Sequence, residues 1–270
     1  MGLPLRPSCL AVLALLMLTR LASAEPSAHG DRYRRPSALR SCIGALAQIA
    51  WRSLRGLPSC AVFDVDNTLV DTRWRTMRAA KVHAKLCPEA SALGRIGIGQ
   101  VGWNGEQTAL AAGLDAAAAG RFAGCWERFF WDGRHLVLDR PNRTVCLIAR
   151  LARLAGAEVF YLTGREQPLA SATVRQLRRL HLPNADEGHV LCKPKDSPGR
   201  ERTIRHKLDS LRELARGGRH VALSLTDSAR EAMEMKRAGF FAIQVDFPVK
   251  GEPLEADPTI PVLRVRGASR

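Results

Sequence analysis

Several features that would assign a chain to a class at once are missing from these 270 residues. No two cysteines stand in CxxC spacing, which excludes a zinc ribbon. None of the 7 histidines has ligand spacing to another, which argues against a His-based transition-metal site. Beyond residue 24 no apolar run is long enough to span a bilayer, and internal repeats are absent. Lysine is scarce: of 41 cationic residues 34 are Arg and only 7 are Lys. The Arg-rich stretch 32–55 carries no interleaved aromatic platform beyond Tyr33 and Trp51, so it reads as a solvated helix face rather than a nucleic-acid arm.

What is present is globular. A hydrophobic content of 46% with 25% charged residues excludes a disordered, fibrous or polytopic membrane protein. The formal net charge of +15 invites an anionic partner without saying which. Arg6, the apolar run Cys9–Leu18 and the small residues Ala22-Ser23-Ala24 have the layout of a secretory signal peptide over residues 1–24, cleaved before Glu25. The chain is then expected to be exported, periplasmic or secreted; a misassigned start site would leave it cytoplasmic. Cleavage removes Arg6 and Arg20 and no acid, taking the charge from +15 to +13. In an exported protein the remaining cysteines permit disulfides, with Cys87 and Cys125 the best candidate pair. Cys60, Cys146 and Cys192 lie in apolar contexts and read as buried hydrophobes.

Residues 25–57 read as a polar tether followed by a helix over Ser37–Leu54, stopped by Gly56-Leu57-Pro58. Short apolar runs follow at Ala61–Asp66, Glu158–Thr163, His220–Asp227 and Phe241–Asp246, with His189–Lys193 weaker. Helical patterns at Thr144–Ala155, Pro168–Leu180, Arg202–Arg216 and Ala229–Ala238 separate them, and Gly156 and Gly239 stand where a helix must end. Such alternation predicts an α/β fold with a doubly wound parallel sheet, assembled from residues 58–72 plus 139–250. Residues 73–138 break the alternation. They hold helix-prone stretches and four of the five tryptophans, and are expected to form a separate helical cap. Residues 251–270 read as a C-terminal tail.

The chemistry concentrates at predicted strand ends. Phe63-Asp64-Val65-Asp66-Asn67-Thr68 closes the first strand with two carboxylates, a pair that shares a proton or binds a hard dication. Thr163-Gly164-Arg165 closes the second with a hydroxyl, a bare amide and a guanidinium, all donors to phosphate oxygens, though Arg165 could equally pair with a nearby acid such as Glu166. Lys207 lies on the helix before the fourth strand; Lys193, at the end of the weak strand, is the alternative. Asp227 ends the fourth strand and Glu231 follows in the first helical turn. Ligands bind at the carboxyl ends of strands in such sheets.

In order and spacing these motifs resemble the haloacid dehalogenase (HAD)-like hydrolase superfamily, phosphatase branch, with a helical C1-type cap inserted after the first strand. The resemblance covers about residues 60–247, and departs from the usual GDxxxD motif in having Thr226 for Gly and Glu231 for the second Asp. It implies a Mg²⁺-dependent phosphatase hydrolysing a small phosphomonoester. In that reading Asp64 is the nucleophile forming an aspartyl-phosphate, and Asp66 is the general acid/base. Thr163, Gly164, Arg165 and Lys207 (or Lys193) bind phosphate. Asp64, Asp66 through its carbonyl, Asp227 and Glu231 serve the metal. No stable nucleic-acid partner and no transmembrane anchor are expected. The competing expectations are a phosphatase for nucleic-acid ends or protein phosphates, and a catalytically silent anion-binding protein of the same fold.

Overall fold

A computed structural model describes residues 37–195, 199–247 and 257–265. The expected signal peptide and the polar tether that follows it lie outside the described residues. Helix α1 (Ala38–Leu54) leads into β1 (Ser59–Asp64), whose six residues are all buried, as expected of a central parallel strand. The chain then makes a two-residue strand β2 (Val70–Asp71) and enters the insertion through helices α2 (Arg73–Leu86), α3 (Gly105–Ala111) and α4 (Ala116–Phe130). It returns through β3 (Arg140–Pro141), which pairs antiparallel with β2, Val70 opposite Pro141 and Asp71 opposite Arg140. The two crossing points of the cap are thus stitched to each other.

The core continues with α5 (Arg143–Leu154), β4 (Glu158–Glu166), α6 (Ala170–Arg179), β5 (Val190–Lys193), α7 (Arg200–Arg216), β6 (His220–Thr226), α8 (Ala229–Arg237), β7 (Ala242–Asp246) and β8 (Val262–Arg264). The strands form one parallel sheet in the order β5-β4-β1-β6-β7-β8, which puts β1 at the centre. Alternate residues of each strand feed opposite faces. Ala61, Phe63, Val159 and Tyr161 pack under α1, α5 and α6, while Cys60, Val62, Phe160 and Leu162 pack under α7 and α8. The cap has its own small core around Ala80, Leu93, Ala109 and Phe122.

Several expectations change. The C-terminal region is not merely a tail: Val262–Arg264 adds the sixth strand, because Gln244, Val245 and Asp246 at the sheet edge would otherwise leave backbone groups unpaired. Cys87 and Cys125 do not bridge; both thiols are free, as are those of Cys42, Cys60, Cys146 and Cys192. Cys87 sits at the end of α2 against His83, and Cys125 faces Arg128 on α4. Gly156 and Gly239 do end helices, at φ of 103° and 85°, where a side chain would be strained. No helix among the described residues is long and apolar enough to cross a membrane.

Candidate active site

The strand β1 stops at Asp64 because the chain coils there: the Val65 carbonyl accepts from both Leu69 and Val70 amides, and Asn67 takes a left-handed φ of 55°. This turn sends the two carboxylates apart. Asp64 points toward α7 and α8, and Asp66 points toward the cap. The turn is fixed from outside by Asn142, which donates through its side chain to the Thr68 carbonyl (3.0 Å) and through its amide to the Leu69 carbonyl (2.8 Å). Thr68, fully buried, donates to Asp64 Oδ2 at 3.4 Å.

Asp64 Oδ1 lies 2.9 Å from Lys207 Nζ, and the same ammonium donates to Glu231 Oε2 at 2.6 Å. Lys207 is 3% exposed, so its charge persists only because of these partners: burial opposes it, and Asp64 with Glu231 holds it well above the usual lysine range. Thr226 Oγ1 also donates to Glu231 Oε2 at 2.6 Å. Ser228 caps α8 by accepting from the Glu231 amide. Of the two lysines weighed from sequence, the structure brings Lys207 to Asp64. It does not bring Lys193, which ends the edge strand β5 with β4 between it and β1. Glu231 is turned to the Lys207 ammonium.

Burial is the main cause that pushes Asp64 up to about 6, reinforced by Glu231 and opposed by Lys207. Asp227 is driven well above its ordinary value by burial and then by Asp64 and Glu231, with a hydrogen bond between the Asp64 and Asp227 carboxyls. Two carboxylates this close require a shared proton or a cation between them. Among the described residues no three His, Cys, Asp or Glu side chains converge as a metal cage. The donor set is instead two carboxylates, Asp64 and Asp227, with the Asp66 carbonyl on the same turn. That oxygen-only, incompletely coordinating set fits Mg²⁺, which keeps waters and takes substrate phosphate oxygens as ligands.

The second carboxylate is held quite differently. Asp66 receives a fork from Arg165, Nε to Oδ2 at 2.9 Å and Nη2 to Oδ1 at 2.8 Å, and Arg75 Nη2 reaches Oδ1 at 2.9 Å. Burial pushes its carboxyl up, but the guanidinium groups of Arg165 and Arg75 outweigh it and hold it at about 2. Arg165 is wholly buried and also donates to Thr173 (3.1 Å) and Gln176 (2.8 Å). Its guanidinium is therefore turned to Asp66, the acid-pairing alternative of the two that the sequence left open. The acid it pairs with is Asp66, not the adjacent Glu166. Behind it lies Asp139, 3.1 Å from Arg75 Nε and 3.6 Å from Arg165 Nη2, and pushed up to about 6 by burial against both cations. Arg75 also donates to the Phe130 carbonyl at 2.7 Å and lies over the Phe130 ring. This links Asp66 to the C-terminal end of α4 in the cap.

Arg75 and Asp139 carry no motif signal: one looks like a solvated helix residue, the other like a loop acid. The only hint was that a carboxylate closing a buried strand requires a counter-ion. The tryptophans divide. Trp126 stacks on Phe130 and donates to Thr76 at 3.0 Å inside the cap, whereas Trp103 and Trp131 remain partly exposed. Thr163 is fully buried beside the site, and a Cβ on Gly164 would meet the Thr203 methyl of α7 at 3.0 Å. A glycine there keeps α7, and with it Lys207, close to the strand ends.

No protein-family model matches the chain, and no curated protein matches it in sequence. Solved structures do match. A protein of Clostridium difficile provisionally named a phosphatase superposes with a TM-score of 0.53 at 14% identity, covering 76% of this chain and 94% of that one. A predicted phosphatase of Clostridium acetobutylicum gives 0.50 at 13% identity, covering 77% and 94%. Protein Tyrosine Kinase A of Mycobacterium tuberculosis gives 0.50 at 18% identity, covering 78% and 95%. The chain has the haloacid dehalogenase-like fold, an α/β core of parallel strands with an inserted helical cap. At such identities the likeness is one of fold, and the names attached to it include both phosphatases and a kinase.

Proposed function

We propose that the protein is a Mg²⁺-dependent phosphatase that hydrolyses a small phosphomonoester through an aspartyl-phosphate on Asp64. The observation that carries this reading is the arrangement around Asp64: a buried carboxylate at the end of the central strand, braced by Thr68 and paired with a buried, doubly anchored ammonium. An acid placed this way is useless for stability and well suited to attack an electrophilic phosphorus. Asp64 Oδ attacks, the P–O bond to the leaving group breaks, and the Lys207 ammonium and the Thr163 hydroxyl neutralise the phosphoryl oxygens. Asp64, Asp227 and the Asp66 carbonyl would hold Mg²⁺, which when bound withdraws charge from the phosphate. Glu231 and Thr226 keep Lys207 in position. Asp66 in its protonated form gives the leaving oxygen its proton, and the resulting carboxylate later takes one from the water whose attack breaks the P–O bond to Asp64 and frees phosphate. Its paired, ionised state here is the form that takes a proton from the water hydrolysing the acyl phosphate. A cavity of about 390 Å³ on the seam between cap and core supports a small substrate rather than a polymer.

The test is phosphate release from an aryl phosphate by purified protein. Activity should require added Mg²⁺ and disappear with a chelator; activity indifferent to chelation removes the metal from the mechanism. Glu231→Gln should slow phosphate release about tenfold or more by loosening Lys207, since a hydrogen bond to a charged group contributes about 1.5–3 kcal/mol. An unchanged rate would show that Lys207 needs no such brace. Export belongs to the same reading, and protein recovered from the periplasm or medium should begin at Glu25.

A further inference from the structure

With Lys207 serving the nucleophile, a second buried lysine is left over. Lys193 is 7% exposed and closes no salt bridge among the described residues; Glu166, its register neighbour on β4, acts on it only from a distance, and Arg202 opposes that. Burying an ammonium that no carboxylate contacts directly is costly, and such groups persist where a ligand supplies a closer counter-charge. Lys193 lines the seam cavity of about 390 Å³, whose other walls include Gly164, Glu166 and Pro168 of the core and Glu127 and Trp131 of the cap. Gly164, which lines it, directly follows Thr163, the residue proposed to contact the transferred phosphate, so the cavity lies beside that site. It is where the leaving group of a substrate on Asp64 would extend.

We propose that Lys193 binds a second anionic group, carboxylate or phosphate, on the leaving group of the substrate. This rests on the phosphatase reading and specifies its substrate class: a short-chain phosphomonoester bearing another anion. The placement sets the length. Lys193 ends β5 and Asp64 ends β1 with β4 between, so the strand axes are about 10 Å apart at the usual spacing. The reach of a lysine side chain shortens that to a gap that a chain of about three to six carbons spans. Glu127 and Glu166 repel an anion elsewhere in the cavity, which confines it to the Lys193 end, and they accept hydrogen bonds from hydroxyls along the chain. Trp131 supplies an apolar wall from the cap, so the pocket is complete only when cap and core are together.

The experiment compares isosteric pairs: 3-phosphoglycerate against glycerol 3-phosphate, 6-phosphogluconate against sorbitol 6-phosphate, and glycerol bisphosphate for the phosphate arm. The wild type should prefer the anionic member of at least one pair by about 10- to 100-fold in kcat/KM, expressed mainly in KM. Lys193→Met should erase that preference and Lys193→Arg should retain it. A wild type without preference, or a preference that survives Lys193→Met, overturns the proposal. Hydrolysis of an aryl phosphate in the same assay keeps the two readings apart. If it fails, the phosphatase reading fails, and calorimetric binding of the same pairs to wild type and Lys193→Met then decides the anion site by itself.

Discussion

Asp64→Asn is expected to release no measurable phosphate from an aryl phosphate, a loss of at least about a thousandfold or about 4 kcal/mol of barrier. The substitution keeps the shape of the side chain and its contact with Thr68 but removes the attacking oxygen. What makes the result decisive is that the fold should not suffer. Asp64 is pushed up to about 6, chiefly by burial, so its contribution to stability is present below the ordinary carboxylate value and lost as pH rises through about 6. At pH 7 the ionised group therefore costs stability in the metal-free protein, and a neutral amide does not. Lys207 keeps Glu231 at 2.6 Å when Asp64 is gone. Chemical denaturation at pH 7 should show the variant at least as stable as wild type. Phosphate release by Asp64→Asn would place the nucleophile elsewhere, and an unfolded variant would mean that Lys207 depends on Asp64 more than the geometry implies.

How much of this was legible in the sequence depends on where the signal is local. Strand β1 with its terminal acids, the Thr163-Gly164-Arg165 strand end, and Asp227 could be read because each couples an apolar run to a polar residue that has no reason to end it. The helix-prone character of the insertion was likewise legible, and α2, α3 and α4 form there. What stayed hidden are contacts made across long stretches of sequence. Whether Arg165 faces phosphate or acid is decided by Arg75 and Asp139, which lie on the two sides of the insertion and meet only when β2 and β3 pair. Strand β8 is three residues long and is specified by the edge it covers rather than by its own pattern. The two lysines could be ranked but not separated, since their roles follow from the strand order β5-β4-β1.

The quartet of the half-buried Asp66 with the buried Arg75, Arg165 and Asp139 yields the largest expected stability effect. Arg75 is fully buried and contacts both carboxylates and the Phe130 carbonyl. Arg75→Met keeps most of the side-chain volume and removes the charge, leaving the buried Asp139 and the half-buried Asp66 to share Arg165. Breaking a buried pair on one side costs about 3–5 kcal/mol, and that loss is expected at pH 7.5 by chemical denaturation. The loss should depend on pH in a defined sense. Asp139, pushed up to about 6 by burial, takes up a proton in the folded state as pH falls through that value and then no longer needs Arg75. At pH 5 the penalty should therefore be visibly smaller than at pH 7.5. Asp66 behaves oppositely: its carboxyl is held at about 2, so what its ion pairs contribute is intact at pH 5 and is lost only as pH falls from the ordinary value toward about 2. A penalty equal at both pH values would mean that Arg75 acts through packing on Phe130 rather than through charge. Adding Asp139→Asn to Arg75→Met should restore part of the lost stability at pH 7.5, because one of the two stranded carboxylates is gone. Phosphate release, expected to fall in Arg75→Met, should not return with it, because Asp66, proposed as the proton-transfer residue, still lacks one of its two guanidinium partners.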